Sequence, residues 1–186
     1  MIRAFIAIEI DPAVLSRIGE ATDVLRGKIP DIRWTLAANW HLTLKFLGGI
    51  EEKQVDLIGQ ALKRELSLFR RFTINAKGVG VFPDPRRPRV LWVGVEGKPL
   101  EGLAESVEIA LAPLGFEKEK RVFTPHLTIG RWRESKRKNR ELENAMEDWK
   151  AYDFGRSKVE EVTLFQSILK PAGAEYRPLR SVRLNA

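Results

Sequence analysis

The stretch HLTL at residues 41–44 returns as HLTI at residues 126–129, and the only two histidines of the 186-residue chain open these two tetrads. In an extended strand, successive side chains point to opposite faces. Histidine and threonine of each tetrad therefore share one face, and the two aliphatic residues share the other. Each tetrad requires a strand with one side buried and one side carrying an imidazole and a hydroxyl. The copies also sit at matching distances from an earlier apolar strand: Ile6 lies 35 residues before His41, and Trp92 lies 34 residues before His126. A fold that meets both conditions carries the same unit twice.

The rest of the pattern supports a repeated layout. Residues 2–10 form an apolar run that reads as a strand. Asp11 then stands as a helix N-cap with Pro12 at the first helical position. Val14, Leu15, Ile18 and Leu25 continue at helical spacing to Gly27. A short connection through Trp34 leads to the first tetrad strand, residues 41–47, closed by Gly48 and Gly49. Residues 51–69 place Val55, Ile58, Leu62, Leu66 and Phe69 on one helical face. Residues 72–82 read as a strand ending in the Pro- and Arg-rich loop 83–88.

The second half reads alike. It has a strand at 90–95, a helix through Leu100, Leu103, Val107 and Leu111, and the tetrad strand 126–132. A helix with Leu142, Met146 and Trp149 follows, then strands at 158–169 and 176–184. The expectation is one α+β domain spanning 1–186, with sequence halves of about 1–88 and 89–186. Two pseudo-twofold-related lobes of antiparallel β-sheet, with helices on the outside, would enclose a central cleft.

The absence of cysteine excludes disulfide and thiolate chemistry and makes a cytoplasmic setting the expectation. No apolar run approaches the ~20 residues of a membrane span, so no membrane association is expected. A net charge of +7 with a pI near 9.8 favours an anionic partner. Two histidines with no Cys, Asp or Glu at ligand spacing make a poor zinc site, so neither metal nor cofactor is expected.

Facing tetrads would bring two imidazoles and two hydroxyls into one cleft. Histidine titrates near neutrality, so one imidazole can take a proton from an attacking water while the other gives one to a leaving oxygen. The hydroxyls of Thr43 and Thr128 can hydrogen-bond the non-bridging oxygens of a phosphate held between them. In-line displacement at phosphorus needs its base and its acid on opposite sides of the reacting atom, as two facing strands provide.

The segments HLTLKFLG at 41–48 and FTPHLTIGR at 123–131 resemble the paired His-x-Thr-x motifs of the two-histidine phosphoesterases. The opening Arg3-Ala-Phe-Ile-Ala-Ile8 and the segment Pro88-Arg-Val-Leu-Trp92 are similar to the RNA 2′,3′-cyclic phosphodiesterase branch, also called 2′-5′ RNA ligases or LigT-like proteins. The resemblance implies metal-independent hydrolysis of an RNA terminal 2′,3′-cyclic phosphate to a 2′-phosphate. Transferred to this chain, it implies His41 as proton donor to the 3′ oxygen and His126 as proton acceptor from water. Thr43, Thr128 and Arg131 would bind the phosphate. Reversible 2′-5′ ligation is associated with the family. The substrates implied are RNA ends such as those of tRNA fragments, handled by a monomer.

Arg131 sits at an odd offset from His126, so it needs a bulge or strand end near Gly130 to face the cleft. By strict alternation Phe46 falls on the buried leucine face, and Lys45 falls on the His41 face. Alternation also puts Trp132 on the His126 face, the best base-stacking position among Trp34, Trp40, Phe46, Phe82, Trp92 and Trp132. Basic clusters at Arg86, Arg87 and Arg89, and at Arg131, Arg133, Lys136, Arg137, Lys138 and Arg140, could follow an RNA backbone. Rival readings are a phosphoesterase acting on ADP-ribose cyclic phosphate or 2′-5′ oligonucleotides, and a non-catalytic basic RNA-binding module.

Overall fold

In a computed structural model, every residue except Pro30, 134–139 and Ala172 is described. The first half runs β1 (Ile2–Ile8), α1 (Pro12–Arg26), β2 (Ile32–Trp34), β3 (Leu42–Ile50), α2 (Gln54–Leu66) and β4 (Phe72–Phe82). The second runs β5 (Val90–Glu96), α3 (Leu100–Leu111), β6 (His126–Trp132), α4 (Arg140–Trp149), β7 (Asp153–Val159), β8 (Glu161–Lys170) and β9 (Gly173–Arg183).

The strands form two antiparallel sheets. One has the order β3-β1-β8-β9 and the other β2-β6-β5-β4-β7. Each draws strands from both halves of the sequence. The pseudo-twofold relation survives this exchange: β1 lies between β3 and β8, as β5 lies between β6 and β4. Helices α2 and α3 pack together against the first sheet, while α1 and α4 lie on the second.

The main core fills the space between sheets and helices. From β1 it takes Ala4, Ile6 and Ile8; from the tetrad strands it takes Leu42, Leu44, Leu127 and Ile129. On the other face of β1, Phe5 and Ala7 join Phe165 and Tyr176 in a second apolar cluster. With both faces covered, β1 from Ala4 to Ile8 is an unbroken apolar run rather than an alternating one.

Three local expectations change. Asp11 does not cap α1 with its side chain. Its carboxylate instead accepts a hydrogen bond from the Lys158 amide (3.0 Å), and its own amide donates to Ser157 Oγ (2.9 Å), tying the start of α1 to β7. The segment through Trp34 is a three-residue edge strand rather than a simple connection. The run 158–169 divides after Val159: β7 joins the second sheet and β8 the first. Val159 and Val162 are both fully buried with only Glu160 and Glu161 between them, so a short polar pair is all that marks the break. No described helix is long and apolar enough to cross a membrane.

Candidate active site

The two tetrad strands carry the same irregularity. Along β3, Thr43 is opposite Ala7 and Lys45 is opposite Ile6, so Leu44 is an extra residue. Along β6, Thr128 is opposite Trp92 and Gly130 is opposite Leu91, so Ile129 is extra. Each tetrad thus ends in a β-bulge at its fourth residue. A bulge of one residue inverts the alternation beyond it. The residue five positions after each histidine therefore returns to the histidine face: Phe46 is opposite Phe5, and Arg131 is opposite Val90.

The bulges settle where the flanking side chains lie. Arg131 is exposed on the face of Thr128, with Ile129 supplying the irregularity that the sequence suggested near Gly130. Phe46, expected to be buried, is 69% exposed on the cleft side. Lys45 lies on the opposite face, buried, with Nζ 2.5 Å from Glu108 Oε2 and 2.7 Å from the Glu117 carbonyl. Trp132, expected in the cleft, is buried in the core. Strict alternation fails for all four at the same point in each strand.

The strands β3 and β6 meet where the sheets come together. The imidazoles are near enough for His126 to act electrostatically on His41. His126 Nδ1 is 2.6 Å from the carbonyl oxygen of Thr124. His41 has the matching partner in the main chain of Asn39, again two residues upstream. In His126, with Nδ1–H donating to a carbonyl, Nε2 is left as the nitrogen available in the cleft.

Both imidazoles resist protonation. The His41 pKa is pushed down to about 4, mainly by burial; the Asn39 hydrogen bond opposes this and His126 adds to it. His126 is also lowered, first by burial and then by the Arg131 charge, against the opposing Thr124 hydrogen bond. A cavity that withholds positive charge from its histidines in this way supports cation formation when an anion enters.

The rings have different surroundings. His41 stacks on Phe5 with centroids 4.7 Å apart and meets Tyr176 edge-on at 5.0 Å. His126 meets Phe82 edge-on at 5.0 Å, with Trp92 at 6.3 Å. Trp92 can lie there because its neighbour is Gly80, where a Cβ would come within 2.2 Å of the indole. Of the other aromatics considered from sequence, Trp40 is buried and Trp34 lies 5.7 Å beneath the Arg26 guanidinium.

Sequence reasoning missed Tyr176. It sits on β9 within the electrostatic reach of Arg131 and Arg3, and burial raises its phenol pKa while those charges oppose the rise. No local signal marks it, because its position follows from the pairing of β9 with β8. Arg86, Arg87, Arg89 and Arg133 are exposed, while Lys136, Arg137 and Lys138 of the second basic cluster lie outside the described residues. Among the described residues, no group of three or more His, Cys, Asp or Glu could hold a metal ion.

A family model described as LigT-like phosphoesterase matches the chain twice in succession, at residues 8–92 and 93–176, each match containing one tetrad. An Archaeoglobus fulgidus protein named RNA 2′,3′-cyclic phosphodiesterase is 37% identical over 96% of this chain and 98% of its own length. A Methanothermobacter thermautotrophicus protein of the same name is 32% identical, covering 98% of this chain and 99% of its own. The crystal structure of the Thermus thermophilus protein TT0787 superposes with a TM-score of 0.81 at 26% identity, covering 99% of this chain and 98% of that one.

Proposed function

This chain belongs to the LigT-like phosphoesterase family, and from that premise we propose that it opens the 2′,3′-cyclic phosphate at the end of an RNA, leaving a 2′-phosphate. One observation carries the mechanism. Two imidazoles, each hydrogen-bonded to the main chain two residues upstream and each followed by a cleft-facing threonine, converge from two sheets.

In this reading His126 Nε2 takes a proton from water as the water oxygen bonds to phosphorus. The bond from phosphorus to the 3′ oxygen breaks, and His41 gives its proton to that oxygen. One proton is taken up and one released, so the pair returns to its starting state after exchange with solvent. Thr43 and Thr128 donate to the non-bridging oxygens, and Arg131 balances the charge that builds on them. With the 5′-hydroxyl of a second RNA in place of water, the same transfers give 2′-5′ ligation: the 5′ oxygen bonds to phosphorus, His126 takes its proton, and the 3′ oxygen leaves with the proton of His41.

The depressed histidine pKa values suit this scheme. The phosphate anion supplies the counter-charge that burial removes, so His41 gains its proton as substrate binds. Exposed Phe46, beside Phe5 and on the His41 side, offers a surface for the terminal base. A single chain supplies both tetrads, so the reaction needs no second copy. RNA ends of the kind found on tRNA fragments meet these requirements.

The test is to incubate the protein, in EDTA, with an oligoribonucleotide ending in a 2′,3′-cyclic phosphate and to follow phosphorus NMR. The expected product is a 2′-phosphate, absent with His41→Ala or His126→Ala. A 3′-phosphate would reverse the assignment of the leaving oxygen. A ring left closed by the wild type would overturn the substrate.

A further inference from the structure

The cleft face of the second sheet carries more positive charge than one cyclic phosphate can use. Strand β2 pairs with β6 so that Arg33 is directly opposite Arg131, and paired residues share a face. The row across the sheet therefore reads Phe82, Val90, Arg131, Arg33. Both arginines are exposed, and among the described residues neither has an ion-pair partner. Like charges directly opposite one another are unfavourable in a sheet, which gives this pair a reason to attract an anion.

A 2′,3′-cyclic phosphate carries a single negative charge. Arg131, beside Thr128, is sufficient to match it. Arg33 stands one strand spacing farther out, about 4.8 Å, on the side away from Trp92. An RNA substrate supplies a second anion at the corresponding place in its own chain, the phosphodiester on the 5′ side of the terminal nucleotide. The loop joining β4 to β5 ends the same row and carries exposed Arg86, Arg87 and Arg89, extending the cationic path beyond the sheet.

We propose that Arg33 forms a second phosphate subsite, which binds the phosphodiester immediately 5′ of the reacting nucleotide and makes the enzyme favour RNA ends over free cyclic nucleotides. The proposal rests on the hydrolase reading above. The subsite is sequence-independent, since it contacts backbone alone.

The test compares adenosine 2′,3′-cyclic phosphate, which has no second phosphate, with the dinucleotide ApA ending in a 2′,3′-cyclic phosphate, which has one. For wild type and Arg33→Gln, the quantity measured is the ratio of kcat/KM on the dinucleotide to kcat/KM on the mononucleotide. The ratio is expected to fall roughly tenfold in the variant, the scale of one charge-assisted hydrogen bond, chiefly through KM. The salt dependence on the dinucleotide should lose a slope of about 0.7, and Arg33→Lys should recover part of both. A ratio that stays at the wild-type value, or a loss of equal size on both substrates, overturns the subsite. A wild type that opens neither ring removes the hydrolase reading, and the subsite with it.

Discussion

Protonating His41 should destabilise the fold, because burial disfavours the charged imidazole. In the unfolded chain this imidazole titrates near 6.5, whereas in the folded cleft burial pushes it down to about 4. Between those values the unfolded state binds a proton that the folded state refuses. The stability contributed by a neutral His41 is therefore complete above pH 6.5 and is lost as the pH falls towards 4. At about 1.4 kcal/mol per tenfold change in proton affinity, the full effect is about 3 kcal/mol, and about 2.5 kcal/mol of it is spent by pH 4.5. Urea unfolding of wild type and His41→Gln at pH 7.5 and pH 4.5 isolates the effect, because carboxylate protonation is common to both proteins and cancels. The stability difference should move by about 2.5 kcal/mol against the wild type on acidification. With two histidines in the chain, proton NMR can assign both imidazoles by loss of one signal in the variant. Parallel pH dependences, together with a His41 that titrates at or above 6.5, would refute the burial argument.

Two further outcomes follow from the bulges. Lys45→Ala should cost about 3 kcal/mol by leaving the part-buried Glu108 without its partner, whereas Lys45→Met combined with Glu108→Leu should recover much of the loss; chemical denaturation measures both. Phe46→Ala should raise KM for a cyclic-phosphate oligonucleotide several-fold with little change in kcat, since stacking contributes about 1–3 kcal/mol per base; steady-state kinetics with purine and pyrimidine termini would detect it.

The repeated tetrads, the layout of the halves and the α+β architecture are legible in the sequence because they rest on hydrophobic period and residue identity. The face of each tetrad residue is legible too, since two-residue alternation holds from His41 to Thr43 and from His126 to Thr128. Beyond the fourth residue it fails. A bulge is a property of pairing between strands, and nothing in LKF or IGR shows that Leu44 and Ile129 lack an opposite number. For that one reason Phe46, Lys45 and Trp132 lie on the faces opposite to those that alternation implies, and the same irregularity brings Arg131 to the cleft. Tyr176 and Arg33 share another difficulty: each faces the site through a strand distant in sequence. The division of 158–169 was hidden because only Glu160 and Glu161 separate Val159 of β7 from Val162 of β8, and both valines are buried.

The central claim is that two imidazoles act as an acid and a base. The pH dependence of kcat/KM on a cyclic-phosphate RNA, measured for wild type, His41→Ala and His126→Ala, tests it most directly. The productive state carries one proton on the pair, and both pKa values lie below 6.5 in the free protein. The wild-type profile should therefore be a bell with its maximum below pH 6.5. Residual activity in His126→Ala should lack the limb that rises with pH, and residual activity in His41→Ala should lack the limb that falls. A bell of unchanged shape in both variants would contradict the acid–base pair.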